Sequence, residues 1–392
     1  MIDLAQVRAD TPGVGDLTFF GSAGSSLSPA PVTATVDTYL ETERHMGGYA
    51  AASHHVDLLD AVYVQAARLI GASESEITFN SGASEAWWRA FLAIDLKEGD
   101  RVVAGTSEFA SNVVAMLQAK ARGVHVIIVP NDETGTIDLE LLEAELARPQ
   151  TRLMCLTHVG MANGGVQPAD GVGSLAAAAG VPFLLDAAQS IGQMPLDVED
   201  LQCDFLIATG RKFLRAPRGT GLLYVRESIL ESLTDPVFVD VRSALWTDAW
   251  SYSPRPGSRR FEFGEYSHAA KAGFGAALAY AADLDMHAVG ARIGNLAARL
   301  REGLEHIDGV SVWDRGARLS GIVTFTLDLI DPSTVVKSLE ARQIFLNAPA
   351  AHNAQFDFQD RGVEQVIRAG VHYFNTEAEI DRLLDAVDDL AG

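Results

Sequence analysis

The middle of the chain alternates short apolar runs with alanine- and leucine-rich segments, and this alternation limits the possible folds more than any other feature. Seven runs have the length and the apolar or β-branched content of buried strands: EITFN, RVVAG, VHVIIVP, RLMCLTHV, PFLLDAA, DFLIATG and GLLYVR. The segments EAWWRAFLAIDL, SNVVAMLQAKARG and GVGSLAAAAG lie between such runs and have helical composition. An alternation of this kind is typical of a mostly parallel sheet with helices on both faces. We therefore predict an α/β fold built on a mostly parallel, seven-stranded sheet.

The pattern changes after about residue 280, where a long helical stretch precedes two strand-like runs, VSVW and GIVTFTL, and a C-terminal helix. This order predicts a second, smaller α+β domain. We place the large domain at residues 16–280 and the small domain at residues 281–392, together with residues 1–15. A chain of 392 residues is long enough to form two cores.

Composition excludes several classes of function. The net charge of −22 argues against nucleic acid binding, because phosphate backbones are bound by clustered lysines and arginines and no basic stripe is present. No apolar run approaches the ~18 residues of a membrane span, and no signal peptide pattern opens the sequence. We expect a cytoplasmic protein that does not bind membranes. The two cysteines, Cys155 and Cys203, have no metal-ligand spacing, so no metal site is predicted.

Ligands of such sheets bind beyond the carboxyl ends of the strands, so the residues after each strand are candidate site residues. EITFN is followed by Ser81–Glu85 and then a helix, an arrangement in which backbone N–H groups and the Ser84 hydroxyl can bind a phosphate. A plain N-cap with an acidic first turn is the alternative. RVVAG is followed by Phe109, which either stacks on a ligand ring or packs in the core.

A carboxylate and an amine follow two successive strands. Asp186 ends PFLLDAA, where a buried carboxylate needs a partner, and Lys212 follows DFLIATG one βα unit later. We therefore expect both side chains at the same edge of the sheet. Pyridoxal 5'-phosphate chemistry requires this pairing, because the lysine forms a Schiff base with the aldehyde and the carboxylate keeps the pyridine nitrogen protonated.

Five motifs together resemble the class V aminotransferases and cysteine desulfurases, which are fold-type I pyridoxal phosphate enzymes. They are FNSGASEA, SEFASN, LLDAAQSIGQMPLDVEDLQCDFLIATGRKFLRAPRGTGLLYVRE, RRFEFGE and IRAGVHYFNTEAEIDRLL, and they span nearly the whole chain. The resemblance implies the fold-type I architecture and pyridoxal phosphate as cofactor. It also implies a homodimer in which each site is completed by the other chain.

The resemblance implies roles for residues around the cofactor ring and the substrate. Lys212 matches the Schiff-base lysine and Asp186 the partner of the pyridine nitrogen. Gln189 would bond the phenolic oxygen, and Phe109 would lie over the ring where desulfurases usually have histidine. Arg368 matches the arginine that binds the substrate α-carboxylate through a bidentate pair. A surface ion pair is the alternative for Arg368.

The resemblance also implies a phosphate site and a further substrate contact. The implied phosphate-binding residues are Ala83, Ser84, Thr209 and Arg211, and Gly82 is a further implied cofactor-binding residue. Arg211 stands where the desulfurases have histidine. Tyr49, in the early GGYAAAS segment, is the implied substrate-binding residue.

Three positions depart from the desulfurase pattern. No cysteine follows Cys203, although desulfurases need an accessible cysteine in the small domain to accept sulfur. Met161 replaces an asparagine that usually follows the THV strand end, and Asn163 is displaced from it. Glu265 stands where desulfurases have a threonine that reaches the phosphate of the partner subunit. A carboxylate repels a phosphate dianion, so that contact is in doubt.

These departures, with GRKFLRAPRGTG and RRFEFGE, are similar to the branch containing the C–S lyase of ergothioneine biosynthesis and related enzymes of lincosamide biosynthesis. The resemblance implies a lyase of secondary metabolism that eliminates the β-sulfur group of an S-substituted cysteine, with Lys212 removing the α-proton. The cleaved bond depends on which one is held perpendicular to the ring, so decarboxylation-coupled deamination, transamination and epimerisation remain alternatives. A non-catalytic pyridoxal phosphate-binding protein is a further alternative.

Overall fold

A computed structural model of the chain describes residues 2–392. Its strands, in chain order, are β1 (Thr18–Phe19), β2 (Ile77–Asn80), β3 (Arg101–Gly105), β4 (His125–Val129), β5 (Thr151–Thr157), β6 (Phe183–Asp186), β7 (Phe205–Thr209), β8 (Gly221–Val225), β9 (Ala244–Asp248), β10 (Ser251–Pro254), β11 (Val310–Val312), β12 (Ile322–Leu327), β13 (Ile344–Phe345) and β14 (Ile367–Gly370).

The helices lie between and after these strands. They are α1 (Leu4–Ala9), α2 (Ala30–Met46), α3 (Gly48–His54), α4 (Val56–Ile70), α5 (Ala83–Ala93), α6 (Ala110–Lys120), α7 (Leu139–Leu146), α8 (Ala169–Ala179), α9 (His268–Ala282), α10 (Met286–Glu305), α11 (Pro332–Glu340), α12 (Gln355–Arg361) and α13 (Glu377–Ala391). Over residues 2–392, none of the helices combines the length and the apolar character needed to span a membrane.

Within residues 2–392, seven strands form one sheet in the order β2-β8-β7-β6-β5-β3-β4. The strands from β7 to β4 in this order pair in parallel, whereas β8 is antiparallel to both of its neighbours. The predicted α/β fold with a mostly parallel, seven-stranded sheet is therefore confirmed. Because β2 runs in the same direction as β7, the carboxyl ends of β2, β3, β5, β6 and β7 meet at one edge.

Helices cover both faces of this sheet. Successive side chains of a strand point to opposite faces, and in β7 Leu206 packs in one core whereas Ile207 packs in the other. The first core includes residues of α4, α8 and α9, and the second includes residues of α5 and α6. Burial on both faces explains why the strands are continuously apolar in sequence, since each buried large aliphatic side chain contributes roughly 1.5–3 kcal/mol.

A second sheet with its own helices and core lies C-terminal to α9. Strands β11, β12 and β14 form an antiparallel sheet whose core includes residues of α10, α11 and α13. The N-terminal segment joins this part, since Val7 packs with Val289. Strand β1 pairs in parallel with β13. The proposed domain limits at residues 16 and 281 remain predictions.

Strands β9 and β10 form a separate antiparallel hairpin outside the two larger sheets. Its large apolar side chains are exposed, with Trp246 78% and Trp250 96% accessible. Two large aromatic side chains exposed so close together are unusual on a protein surface that contacts only water.

Candidate active site

A cavity of about 790 Å³ opens at the edge where the carboxyl ends of the parallel strands meet. Its walls include most of the residues singled out in the sequence: Gly82, Ala83, Ser84, Phe109, Asp186, Gln189, Thr209, Arg211, Lys212 and Arg368. Residues that follow β2, β3, β6 and β7 thus converge with residues of the C-terminal part. A cavity at this edge is where open parallel sheets bind ligands.

Lys212 lies just after β7 in a sharply turned loop. A Cβ at Gly210 would overlap the Thr220 hydroxyl and the Ala216 side chain, so the turn needs glycine there. Burial lowers the pKa of the Lys212 amine to about 7; the Asp186 charge opposes this shift and the nearby guanidinium groups add to it. A large fraction of this amine is therefore neutral near pH 7 and can act as a nucleophile or base.

Asp186 is the last residue of β6 and is 5% exposed. Its Oδ1 accepts a hydrogen bond from the Ala188 backbone N–H at 2.9 Å, and its Oδ2 accepts one from Asn112 Nδ2 at 2.9 Å. Burial raises the pKa of Asp186, whereas the Asn112 hydrogen bond and the Lys212 charge oppose the rise. These two donors and the neighbouring amine compensate for burying a carboxylate, which would otherwise be costly.

Gln189 lies in the turn after β6, and its Nε2 donates to the Ala23 carbonyl at 3.1 Å. Its Oε1 is buried without a hydrogen-bond partner among residues 2–392. Met161 lines the cavity, whereas Asn163 does not, because its amide donates to Asp357 Oδ1 and accepts from the Gly165 N–H. Asn163, displaced in sequence from the usual asparagine position, therefore lies outside the cavity lining.

The end of the cavity near α5 is suited to an anion. Gly82 is the N-cap of α5 and supplies no side-chain cap, while Glu85 turns back to accept hydrogen bonds from Ser81. The first backbone N–H groups of α5 are therefore not capped by a side chain of this turn. Arg211 Nη1 donates to Thr209 Oγ1 at 3.4 Å. Burial, and then the charge of Arg218, lower the pKa of Arg211.

Arg368, on β14, also lines the cavity. It is 5% exposed, and its Nη1 donates to the Met161 carbonyl at 2.9 Å. No carboxylate of residues 2–392 forms an ion pair with it, so the alternative of a surface ion pair is wrong. Burial, and then the Arg211 charge, lower its pKa to about 10. A buried guanidinium facing a cavity without a carboxylate is suited to bind one from a ligand.

Tyr49 is not in this cavity. It lies on α3 and is 96% exposed, so it does not line the cavity of its own chain, and its contact with a substrate stays a prediction. Glu265 is also exposed and does not line the cavity. Both cysteines are buried outside it, and burial raises the pKa of each thiol.

Residues of or near the cavity that were missed in the sequence include Glu108, Asn112, Arg218 and Asn353. Asn112 lies in the first turn of α6, and Glu108 lies directly before Phe109. Acidic and amide side chains directly after a strand were a usable signal, because polar side chains at such a position must be satisfied. Arg218 could have been found from a different signal, because it is a cation in the glycine- and proline-containing loop that follows Lys212. Asn353 had none.

The residues present fit pyridoxal phosphate. Asp186 has its accepting oxygens beside the cavity, and Gln189 has a buried Oε1 without a partner, which can accept a hydrogen bond from a phenol O–H. Arg211 and Arg218 carry positive charge and line the same cavity as the N-terminus of α5. In this order, the groups have the chemistry needed to bind a protonated pyridine nitrogen, a phenol group and a phosphate. Lys212 supplies the amine that the aldehyde needs.

Comparisons with known proteins show the same family of enzymes. The family model described as aminotransferase class-V matches residues 18–383. A probable cysteine desulfurase of Methanothermobacter thermautotrophicus is 28% identical over 392 residues, covering 98% of both chains. The structure of an apo cysteine desulfurase from Thermococcus onnurineus has a TM-score of 0.92 at 25% identity, covering 100% of this chain and 98% of that one. The Escherichia coli cysteine desulfurase CsdA has a TM-score of 0.91 at 25% identity, covering 99% and 98%. With a match over most of its length, the chain belongs to the class-V aminotransferase family of pyridoxal phosphate-dependent enzymes.

Proposed function

We propose that this enzyme is a C–S lyase that acts on an S-substituted cysteine by β-elimination. The observation that carries the proposal is a cavity with an amine, a buried carboxylate and a free arginine but no thiol among its lining residues. Relatives named cysteine desulfurases support action on a cysteine-type substrate. Both thiols of this chain are buried away from the cavity, so sulfur transfer to a cysteine of the same chain has no acceptor there.

In this reaction Arg368 and Lys212 have different roles. The bound cofactor supplies an electron sink for the substrate Cα. Arg368 binds the α-carboxylate and fixes the amino acid in the cavity. Lys212, with its pKa near 7, takes the α-proton, and the β-sulfur group leaves with the bonding electron pair. Water then releases the three-carbon fragment, so that one conjugate and one water give a thiol, pyruvate and ammonia.

The similarity of GRKFLRAPRGTG and RRFEFGE to the ergothioneine and lincosamide branch supports a substituted substrate and a role in secondary metabolism. The cavity volume of about 790 Å³ is consistent with a substrate larger than cysteine, because part of that space remains after a cofactor is bound.

We also propose a homodimer. The exposed Trp246 and Trp250 on the β9–β10 hairpin support an interface, since apolar patches of this kind mark contact surfaces. Tyr49, exposed in its own chain, would then contribute to the site of the partner.

The test is product analysis with purified protein and pyridoxal phosphate, wild type beside Lys212→Ala. An absorbance band near ~410–430 nm, lost in the variant, is expected when the aldehyde is condensed with Lys212. A panel of S-substituted cysteines and their sulfoxides should give pyruvate, ammonia and thiol. An aldehyde with carbon dioxide would instead indicate decarboxylation-coupled deamination, and a keto acid that retains sulfur would indicate transamination. Loss of optical activity without fragmentation would indicate epimerisation.

A further inference from the structure

Two carboxylates and one amide form a buried cluster behind the cavity. Glu108, in the turn between β3 and α6, is 1% exposed, Asn112 is 2% exposed and Asp186 is 5% exposed. Asn112 and Asp186 line the cavity, whereas Glu108 does not. Glu108 therefore lies one layer behind Asp186 as seen from the cavity.

The Asn112 amide links the two acids. Its Nδ2 donates to Glu108 Oε2 at 2.9 Å and to Asp186 Oδ2 at 2.9 Å. An amide nitrogen has two hydrogens, and both are used here. The orientation of the amide is fixed by its partners, because both are carboxyl oxygens and only the nitrogen can donate. Turning Asn112 away would leave two buried acids without their shared donor.

The two acids share a space in which two negative charges are unfavourable. Asp186 has a second donor, the Ala188 N–H, and faces Lys212, so a negative charge is more favourable on Asp186 than on Glu108. Glu108 faces Asp186 from β6, the neutral thiol of Cys155 from β5 and the uncharged Asn112 from α6. It also faces Thr157 of β5, whose side chain and backbone, like the Asn112 amide, oppose a rise of the Glu108 pKa. Burial, and then the Asp186 charge, raise the pKa of Glu108 to about 7.

We propose that Asn112 and Glu108 are positioning residues for Asp186: Asn112 fixes the carboxylate, and Glu108 fixes Asn112 and adds negative charge behind the site when it ionises. The inference rests on the proposed role of Asp186 as partner of the pyridine nitrogen. Below neutral pH, Glu108 is protonated and the negative charge of the cluster is favoured on Asp186. Above it, the second charge stabilises protonated groups of the bound cofactor and holds their protons to higher pH.

Glu108→Gln tests the charge without removing the acceptor for Asn112. It mimics the protonated acid at every pH. We expect the pH-dependent absorbance change of the cofactor-loaded protein, followed from about pH 6 to about pH 10, to move to lower pH by about one pH unit. Glu379→Gln, at a buried glutamate of the C-terminal part, should leave the transition unchanged and serves as the matched control.

Asn112→Ala tests the positioning. We expect kcat to fall about tenfold or more with little change in KM, because the substrate contacts remain while Asp186 loses its fixed orientation. Circular dichroism and thermal denaturation report whether either variant is folded.

The outcomes separate the two proposals. A Glu108→Gln transition that superimposes on that of wild type overturns the inference, whatever the substrate proves to be, because absorbance needs no turnover. If an Asp186→Asn protein shows the absorbance and pH transition of wild type, Asp186 is not the partner of the pyridine nitrogen. The positioning roles proposed for Asn112 and Glu108 then have no basis. A shifted Glu108→Gln transition with no pyruvate from any conjugate would support the cluster and reject the proposed lyase activity.

Discussion

At the scale of single residues, the site depends on charges that are buried beside one another. Lys212 has three charged neighbours: Asp186 favours its protonated form, whereas Arg211 and Arg368 oppose it. Desolvation acts in the same direction as the two arginines and outweighs the Asp186 charge, so the amine has a pKa of about 7 instead of the ~10.4 of an exposed lysine. The resting protein is therefore prepared to react with an aldehyde at neutral pH.

The first prediction concerns the pH dependence of cofactor attachment to the cofactor-free protein. Because only the neutral amine attacks, the rate should rise about tenfold between about pH 6 and about pH 8 and then level off. Removing the carboxylate in Asp186→Asn should move the midpoint to lower pH, since the Asp186 charge raises the pKa of Lys212. Stopped-flow absorbance measures both rates. A wild-type rate that still climbs above about pH 9 would show that Lys212 has an ordinary pKa.

The second prediction concerns Arg218, which lines the cavity and whose charge lowers the pKa of Arg211. If both arginines bind the phosphate, Arg218→Gln should weaken pyridoxal phosphate binding about tenfold, since a charge-assisted hydrogen bond is lost. Binding of pyridoxal, which has no phosphate, should not change. Fluorescence titration gives both dissociation constants.

Arg122→Gln, at an exposed arginine outside the cavity, is the control for that measurement. Equal losses for pyridoxal and pyridoxal phosphate would show that Arg218 does not recognise the phosphate. An unchanged cofactor affinity with a raised KM for anionic conjugates would place Arg218 at the substrate instead.

Residue types that follow strands were predictable from the sequence, but their partners were not. Asp186 and Lys212 were found because an apolar strand that ends in a charge is conspicuous. The resemblance, not the pattern, pointed to Arg368. Glu108 and Asn112 were missed because their importance depends on a hydrogen bond across 74 residues, from Asn112 to Asp186. Sequence spacing does not reveal which strand ends are neighbours.

At the scale of secondary structure elements, the loop between β7 and β8 positions Lys212. Arg215 in this loop is 1% exposed and has a φ of 61°, a left-handed conformation that is unfavourable for a side chain of its size. Its guanidinium donates to the Leu27 carbonyl, the Tyr373 hydroxyl and the Thr11 hydroxyl. The loop is thereby tied to the N-terminal segment and to the C-terminal part.

The third prediction follows from these three hydrogen bonds. Arg215→Met keeps most of the side-chain volume but removes every donor, and it should lower the free energy of unfolding by about 3 kcal/mol. It should also weaken cofactor binding, because the loop that carries Lys212 loses its anchors. Urea denaturation of the cofactor-free protein measures the first effect. Arg215→Lys should lose less stability, since it keeps one donor and the charge; equal losses would mean that this one donor and the charge contribute little.

The strands of the large sheet were predicted well because burial on both faces makes them continuously apolar. The order of the strands in the sheet could not be predicted in the same way. Strand β8 lies between β2 and β7, and only the three-dimensional pairing shows that it is antiparallel to both. Helices α2 and α3 were not predicted. Only Val32 and Tyr39 of α2 and Ala51 of α3 are buried among their described residues, so their apolar periodicity is weak.

At the scale of the whole molecule, the exposed positions of Tyr49 and the β9–β10 hairpin are accounted for by one hypothesis, that two chains associate. Trp246→Ser with Trp250→Ser should shift the protein toward the mass of one chain in light scattering, because both side chains are exposed in the single chain and would be buried in the dimer. Leu329→Ser, at an equally exposed apolar residue of the C-terminal part, is the matched control and should leave the mass unchanged. A monomeric wild type would reject the association.

Association also makes a prediction about the function of Tyr49. If Tyr49 serves the partner's cavity, a heterodimer of Lys212→Ala and Tyr49→Ala chains contains one site with an intact lysine and an intact tyrosine. Random mixing of equal amounts should then restore about a quarter of the wild-type activity, since half of the dimers are mixed and each has one such site. Activity is measured as pyruvate release after the two variants are exchanged in mild denaturant. If Tyr49 acted within its own chain, every site of the mixture would lack one of the two residues, and the activity would not exceed the average of the separate variants.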